Sequence, residues 1–211
     1  MVNRNPQGRP TTASAAIDFY FDFSSPYGYF ASTRIDALAR ELRRATRWHP
    51  ILLGPMFQAT GTAPLVQIPI KGDYSRHDML RTARLHDIPF RLPDPFPIAA
   101  VAPARIMLHV SQTDPDLAIA YAHRVFRAYY VDNVPIGQAD QALRLAGEVG
   151  LATAPLADAI ASEPVKALLR QANDDALALG VFGSPFLLID GEPFWGFDRF
   201  DTIRLWARQQ T

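Results

Sequence analysis

The 211-residue sequence contains no cysteine. Without a thiol, the chain itself has no means of disulfide exchange, of nucleophilic attack by cysteine, or of binding zinc or an iron–sulfur cluster through cysteine. An excess of charge of one sign is also lacking, since 21 basic side chains balance 21 acidic ones. Nucleic-acid and anionic-membrane binding begin from a basic surface, so neither partner is expected. Any thiol chemistry therefore has to use a thiol from a bound molecule.

A long hydrophobic segment is missing as well. The longest uncharged stretch, residues 50–70, contains four prolines, a spacing that a membrane-spanning helix does not accommodate well. Residues 1–16 are polar and rich in Gly, Pro, Ser and Thr, which predicts a flexible tail and no signal peptide. These features together predict a soluble, cytoplasmic protein.

The first half of the chain has the pattern of a strand, a helix and a second strand. Apolar residues alternate from Ile17 to Phe23, helical spacing follows from Ala31 to about Arg44, and a second strand is expected from Arg47 to Leu53. A strand–helix–strand order within so few residues predicts a βαβ unit, in which the two strands are parallel.

The last part of the chain has a different pattern. A helix is predicted from Glu163 to Gly180, followed by two short strands joined at Asp190-Gly191, a dipeptide that favours a hairpin turn, and a final helix ending near Arg208. Residues 73–162, between the two halves, show helical spacing without strand alternation. We therefore predict an α/β fold in which one domain, residues 17–72 and 163–211, contains an inserted all-helical domain. The cleft between them is the expected site.

Ser25 stands where the first strand meets the first helix. A hydroxyl there lies beside unpaired N–H groups at the positive end of the helix dipole, where it can help to bind an anion. Serine followed by proline is also a common helix start, so capping is the more ordinary explanation. No G-x-S-x-G motif accompanies Ser25, and none of the five histidines has the spacing of a sequence-recognisable triad or of a metal site. No metal is expected, although a triad formed only in space stays open.

Three further positions are candidates for ligand binding, each with an ordinary structural alternative. Pro185 precedes a predicted strand, and a cis Ser184-Pro185 bond would expose the Ser184 main chain to an extended, peptide-like ligand; proline at a strand entrance is otherwise common. Asp198 either caps the last helix or pairs with a ligand ammonium group. Lys71 is a lone lysine, a residue that is usually only solvated.

The order of these motifs resembles that of the 2-hydroxychromene-2-carboxylate isomerase family. This family groups with kappa-class glutathione S-transferases and, more distantly, with bacterial disulfide oxidoreductases of thioredoxin fold. The resemblance extends from Ile17 to about Arg208. It is carried by residues 19–27, 50–54 with 59–62, 71–74, 88–90, and 180–185 with 194–199.

The resemblance implies a thioredoxin-like fold with a large all-helical insertion and a glutathione site between the two parts. It places Ser25 at the glutathione sulfur, as the catalytic residue, and Gly28 where a disulfide oxidoreductase keeps its second cysteine. Pro185 matches the cis-proline of the family, so that the main chain of Ser184 pairs with the cysteinyl part of glutathione.

Four more glutathione-binding positions follow from the resemblance. Asp198 matches the acidic residue that holds the γ-glutamyl end, and Lys71 matches a basic residue near the glycyl end. Thr62 stands where the family usually has asparagine, and Phe197 replaces a polar residue.

The resemblance also implies an activity. In the isomerase family the glutathione thiolate adds reversibly to a ring-opened aromatic substrate, a single bond rotates, and glutathione leaves unchanged, with the serine stabilising the thiolate. We therefore expect an isomerase of aromatic catabolism that takes a small aromatic carboxylate and forms a homodimer. A kappa-class-like transferase or peroxidase, or a non-catalytic binding protein of thioredoxin fold, are the alternatives.

Overall fold

A computed structural model describes residues 16–210 of the chain. Within that range, four strands form one mixed sheet in the order β2-β1-β3-β4. β1 runs parallel to β2 and antiparallel to β3, and β3 and β4 form an antiparallel hairpin. The predicted parallel pair and the hairpin are therefore confirmed, whereas the predicted tail lies outside the described residues apart from Ala16. The strand bounds are Ile17–Phe21 (β1), Thr46–Pro50 (β2), Phe186–Ile189 (β3) and Glu192–Trp195 (β4).

Helices make up most of the rest of residues 16–210. Between β1 and β2 lie Pro26–Ser32 (α1) and Ile35–Glu41 (α2); between β2 and β3 lie Leu53–Thr60 (α3), Lys71–Leu85 (α4), Val101–Ser111 (α5), Pro115–Tyr130 (α6), Ala139–Glu148 (α7), Thr153–Ala161 (α8) and Glu163–Ala178 (α9); Phe200–Arg208 (α10) follows β4. Short 3₁₀ turns occur at Leu65–Gln67 and Phe197–Arg199. In this part of the chain, no helix has both the length and the apolar character needed to cross a membrane.

The single helix predicted up to about Arg44 is wrong in extent, because the chain forms two helices there. The hydroxyls of Ser32 and Thr33 donate to the carbonyls of Tyr29 and Phe30, three residues earlier, at 2.7 Å each. Such bonds back to the preceding turn compete with the regular α-helical pattern. The N–H of Arg34 likewise bonds three residues back, so α1 closes in a tightened turn after seven residues.

The predicted second strand also ends earlier than expected, at Pro50 instead of Leu53. The N–H of Leu53 donates to the carboxylate of Asp22 at 2.7 Å. This bond directs Leu53 away from the sheet and into the first turn of α3.

One face of the sheet carries the larger hydrophobic core. Ile17, Phe19 and Phe21 alternate along β1 and are fully buried, as the period of two in a strand requires. The ring of Phe21 lies 5.4 Å from that of Phe126 on α6 and 5.5 Å from that of Trp48 on β2. The core is therefore continuous between the sheet and the helical segment. The division into residues 17–72 with 163–211 and residues 73–162 stays a prediction.

The other face of the sheet carries a smaller core under α3 and α9. Its buried members are Tyr20, Ile51, Met56, Ala176, Val181 and Phe186. At the hairpin, Asp190 and Gly191 have φ values of 55° and 84°, as expected for a two-residue turn with both central residues in the left-handed region. Arg44 forms an ion pair with Asp190 at 2.5 Å, which holds this turn against the segment that precedes β2.

We predict that Phe126→Ala lowers the free energy of unfolding by about 3–5 kcal/mol. Phe126 is 1% exposed and joins the sheet to the helical segment, so its loss leaves a cavity in the shared core. Urea denaturation followed by circular dichroism measures the change. Leu85→Ala, at a leucine that is 74% exposed, is the control and should change stability by less than about 0.5 kcal/mol. Equal effects of the two substitutions would contradict the shared core.

Candidate functional site

The loop after β1 is organised by the buried carboxylate of Asp22. One carboxylate oxygen accepts hydrogen bonds from the N–H and hydroxyl of Ser24 at 2.7 and 2.9 Å, and the other accepts from the N–H of Leu53 at 2.7 Å. Asp22 is 4% exposed. Burial raises the pKa of Asp22 above its ordinary value, although the bonds from Ser24 and Leu53 act in the opposite direction. The carboxylate thus fixes the end of β1 to the start of α3.

Ser25 caps α1 and is also bonded to a distant part of the chain. The N–H of Gly28 donates to Ser25 Oγ at 3.0 Å, and the Ser25 hydroxyl donates to the carbonyl of Ser184 at 2.9 Å. The structure thus brings together two predicted site residues that are 159 positions apart. Because α1 is only seven residues long, fewer aligned peptide dipoles act at Ser25 than the predicted longer helix would have offered.

Ser184 lies in the loop before β3, half-buried, and its peptide bond to Pro185 is cis. Its hydroxyl oxygen accepts a hydrogen bond from the N–H of Asp22 at 3.0 Å. Within residues 16–210, the Ser184 N–H has no protein acceptor. This main-chain donor is therefore available to a ligand.

Gly28 lies against Ser184 at the first turn of α1. A Cβ atom built on Gly28 would come within 2.7 Å of Ser184 Oγ and 3.2 Å of Ser25 Cβ. Real Cβ atoms essentially never come within 3.0 Å of another atom, so the Ser184 hydroxyl would have to move. The Ser184 hydroxyl thus occupies space that any larger side chain at position 28 would need.

Asp198 is placed near this group by Gly196. The N–H of Gly196 donates to the carbonyl of Pro185 at 3.0 Å, and Gly196 has a φ of 114°, which other residues rarely adopt. A Cβ atom at Gly196 would collide with the carboxylate of Asp198. The Asp198 side chain is 72% exposed and forms an ion pair with its neighbour Arg199 at 3.2 Å. Its carboxylate is therefore accessible near the Ser184-Pro185 loop.

The other three predicted positions are less closely connected. Thr62 is exposed after α3, with its hydroxyl 2.8 Å from that of Thr60, and Lys71 is exposed at the start of α4. In the described part of the chain, neither forms a hydrogen bond or ion pair with Ser25 or Ser184. Phe197 is only 6% exposed and belongs to the main core, so a ligand contact at this position would involve its main chain.

Sequence reasoning missed two features of this region. The first is the role of Asp22, which lies within residues 19–27, the first segment that carries the family resemblance. The sequence signal for this role is a carboxylate at the end of an otherwise aromatic strand. The second feature is the hydrogen bond from Tyr27 on α1 to Asp78 on α4, at 2.5 Å. Burial, followed by this hydrogen bond, raises the pKa of Tyr27. Asp78 is 51 residues from Tyr27 and also binds Arg81, so no local pattern could have indicated the contact.

A separate surface hollow of about 480 Å³ lies between the end of α5 and the start of α9. It is lined by His109, Ser162 and Gln171 among others, and contains none of the predicted site residues. The chemistry that the Ser25 region offers is different: hydroxyl and main-chain donors converge there, and they suit an anion or an extended peptide-like ligand.

Comparison with known proteins identifies the fold family. A family model described as the DSBA-like thioredoxin domain matches residues 16–205. The solved structure of a 2-hydroxychromene-2-carboxylate isomerase superimposes with a TM-score of 0.82 at 24% identity, covering 92% of this chain and 95% of that one. These matches confirm the predicted thioredoxin-like fold.

Two curated relatives indicate the enzyme classes to which the chain is similar. A 2-hydroxychromene-2-carboxylate isomerase from Sphingobium xenophagum is 28% identical over 197 residues, which cover 89% of this chain and 95% of the relative. Glutathione S-transferase kappa 2 from Caenorhabditis elegans is 27% identical over 200 residues, which cover 89% of each protein. The predicted resemblance to both groups is thus confirmed.

We predict that Asp22→Ala lowers the free energy of unfolding by about 3 kcal/mol or more, because each buried donor left without an acceptor costs about 1–3 kcal/mol. Urea denaturation near pH 7 measures the loss. Asp73→Ala, at a carboxylate whose side chain is 95% exposed, is the matched control, for which we expect a change of less than about 0.5 kcal/mol. Similar values for both variants would remove Asp22 from its organising role.

The difference in stability between wild type and Asp22→Ala should also depend on pH, with a defined sign. The pKa of Asp22 is raised in the folded state. The folded protein therefore binds a proton at the Asp22 carboxylate more tightly than the unfolded protein does. The resulting stabilisation is complete below about pH 4, the ordinary pKa of an aspartate, and is lost as the pH rises through the raised pKa. The stability difference between wild type and Asp22→Ala should therefore shrink with rising pH. A difference that grows over this range would contradict the direction of the shift.

Proposed function

We propose that this chain, which belongs to the DSBA-like thioredoxin domain family, binds glutathione beside Ser25 and Ser184 and is a glutathione-dependent isomerase of the 2-hydroxychromene-2-carboxylate type. The observation that carries the proposal is the hydrogen bond between these two residues, at a site with converging donors in a chain without cysteine. Because the protein has no thiol, a reacting sulfur has to be brought by the ligand. The named activities of the two groups of relatives support this assignment.

The residues present fit a tripeptide thiol. An extended peptide binds through paired N–H and C=O groups. Within residues 16–210, the Ser184 N–H has no protein acceptor, and the Ser184 carbonyl accepts from the Ser25 hydroxyl alone. The exposed carboxylate of Asp198 would hold the γ-glutamyl ammonium group in place of Arg199. Lys71 and Thr62 are proposed to hold the glycyl end.

Bound glutathione would supply a thiolate, which adds reversibly to conjugated acceptors. A free thiol has a pKa near 8.5 and is only slightly ionised at neutral pH. The chain favours the ionised form by hydrogen bonding, since the Ser25 hydroxyl can turn from the Ser184 carbonyl toward an anion while Gly28 N–H continues to hold its oxygen. Lowering the thiol pKa by one unit raises the ionised fraction about tenfold.

The substrate class in this proposal is a small aromatic carboxylate. Tyr27, two residues after Ser25 in the first turn of α1, is half-buried, and its ring is proposed to form one wall of the aromatic pocket. A homodimer and a cytoplasmic location belong to the same proposal.

A glutathione transferase of kappa class is the second candidate. It is favoured by the relative from Caenorhabditis elegans, whose identity of 27% is nearly that of the isomerase from Sphingobium xenophagum. The two activities differ in the fate of the thiol, because isomerisation returns glutathione whereas transfer consumes it.

The deciding experiment incubates the protein with reduced glutathione and 2-hydroxychromene-2-carboxylate and follows both the isomers and the total reduced thiol. We expect isomerisation that requires glutathione at constant thiol. Loss of thiol in proportion to product would support the transferase instead. Absence of glutathione binding at millimolar concentration would overturn both activities and favour a non-catalytic binding protein.

Under the same assay, we predict that Ser25→Ala lowers turnover about tenfold at neutral pH and moves the pH optimum upward, because a thiolate donor is lost. Ser32→Ala is the control: the Ser32 hydroxyl is also buried on α1, but among residues 16–210 it bonds to Tyr29 alone, so the pH optimum should stay in place. The fold should survive Ser25→Ala, since a lost helix cap costs about 1 kcal/mol. An unchanged pH profile in Ser25→Ala would contradict the role of Ser25.

We further predict that Asp198→Asn weakens glutathione binding about tenfold, because a charged partner of the γ-glutamyl ammonium group is lost. Isothermal titration calorimetry measures the dissociation constant. Asp201→Asn is the matched control, since this carboxylate is 93% exposed and pairs with Arg204; it should bind glutathione as wild type does. Equal affinity of wild type and Asp198→Asn would remove Asp198 from the site.

A further inference from the structure

We infer that the side chain of Ser184, and not only its main chain, donates a hydrogen bond to the thiolate of bound glutathione. This inference rests on the proposed function, because it concerns the same ligand. It adds a positioning and anion-stabilising role for a hydroxyl that the resemblance does not assign.

The first observation is that the Ser25 hydroxyl is already engaged within the protein. Its oxygen accepts from Gly28 N–H, and its hydrogen is donated to the Ser184 carbonyl. Ser25 is only 4% exposed. To serve a thiolate, Ser25 therefore has to give up an existing hydrogen bond, and the Ser184 carbonyl then has to find another donor.

The second observation is that the Ser184 hydroxyl is engaged only as an acceptor. Asp22 N–H donates to its oxygen at 3.0 Å, which fixes the position of that oxygen. A hydroxyl has one hydrogen to donate, and within residues 16–210 the hydrogen of Ser184 has no protein acceptor. Ser184 is half-buried, more accessible than Ser25. Its hydrogen can be given to an anion without breaking any bond within the protein.

The third observation is the position of this hydroxyl relative to the residues around Ser25. Ser184 Oγ lies 2.7 Å from the point where a Cβ atom of Gly28 would be, and that same point is 3.2 Å from Ser25 Cβ. The two serine side chains therefore flank Gly28, so a sulfur next to Ser25 lies close to Ser184 as well. Hydrogen bonds to an ionised group are roughly twice as strong as those between neutral groups, so a second donor here favours the thiolate.

The roles of the two serines then differ. Ser184 provides a donor that is free from the start, whereas Ser25 provides one only when the ligand replaces it at the Ser184 carbonyl. The cysteinyl N–H of an extended ligand is a suitable replacement donor. Main-chain pairing of the ligand and stabilisation of its thiolate are thus coupled through Ser184.

The test measures the pKa of glutathione bound to the full-length protein, from the ultraviolet absorbance of the thiolate as a function of pH, together with the dissociation constant. We expect Ser184→Ala to raise the pKa of the bound thiol by about one unit, a tenfold change in the ionisation constant. Ser32→Ala, which removes a buried hydroxyl at the far end of α1, should leave the bound thiol pKa unchanged. The pKa readout separates a donor from a residue that only fills space, since filling space affects stability alone.

Gly28→Ala provides an independent variant in which Ser184 is retained. The added methyl group displaces the Ser184 hydroxyl, so this substitution should also raise the bound thiol pKa, and it should add little in the Ser184→Ala background. The same methyl group lies 3.2 Å from Ser25 Cβ, so if Ser184→Ala fails to fold, Gly28→Ala is added to Ser25→Ala. A further rise of the bound thiol pKa in that double variant supports the Ser184 hydroxyl as a donor, and no further rise overturns it.

The outcomes distinguish this inference from the proposed function. If wild type binds glutathione and ionises it, but Ser184→Ala and Gly28→Ala have the wild-type thiol pKa, the role of the Ser184 hydroxyl is overturned while the proposed function stands. If wild type itself neither binds nor ionises glutathione, the proposed function fails and this inference fails with it.

Discussion

The hydrogen bonds of Asp22 are the constraint on which the rest of the site depends. Its carboxylate binds the N–H of Leu53, after β2, and its own N–H binds the hydroxyl of Ser184, before β3. Its carbonyl accepts from the N–H of Ser25. Three segments that are distant in sequence are therefore held at one end of the sheet by a single residue. Such a buried carboxylate is tolerated only because donors surround it, and those donors are what fixes the loops.

The parts of the fold that could be predicted are those with local causes. The alternation from Ile17 to Phe21 and the Asp190-Gly191 turn depend on neighbouring residues only, and both are present in the structure. The break after Ser32 was missed because serine and threonine bond to the preceding turn in some helices and not in others. The early end of the second strand depends on a bond from Leu53 to Asp22, 31 residues earlier, which no local pattern contains.

The residues of the candidate site likewise fall into those that the sequence could predict and those that depend on the complete fold. Ser25, Ser184, Pro185 and Asp198 were found through motifs, and the structure brings the first three into direct or adjacent contact. Phe197 was chosen by its place in a motif, but its side chain is buried in the core, because motif position does not determine which way a residue faces. The contact between Tyr27 and Asp78 joins two helices whose packing is a property of the complete fold.

The close packing of Gly28 against the Ser184 hydroxyl also limits how this lineage could evolve. A mutation that placed a cysteine at position 28 alone would force the neighbouring serine aside before any benefit of a second sulfur could arise. A pair of cysteines at positions 25 and 28 would therefore need a smaller residue at position 184 as well. Position 28 thus has no room for a second sulfur as long as serine occupies position 184.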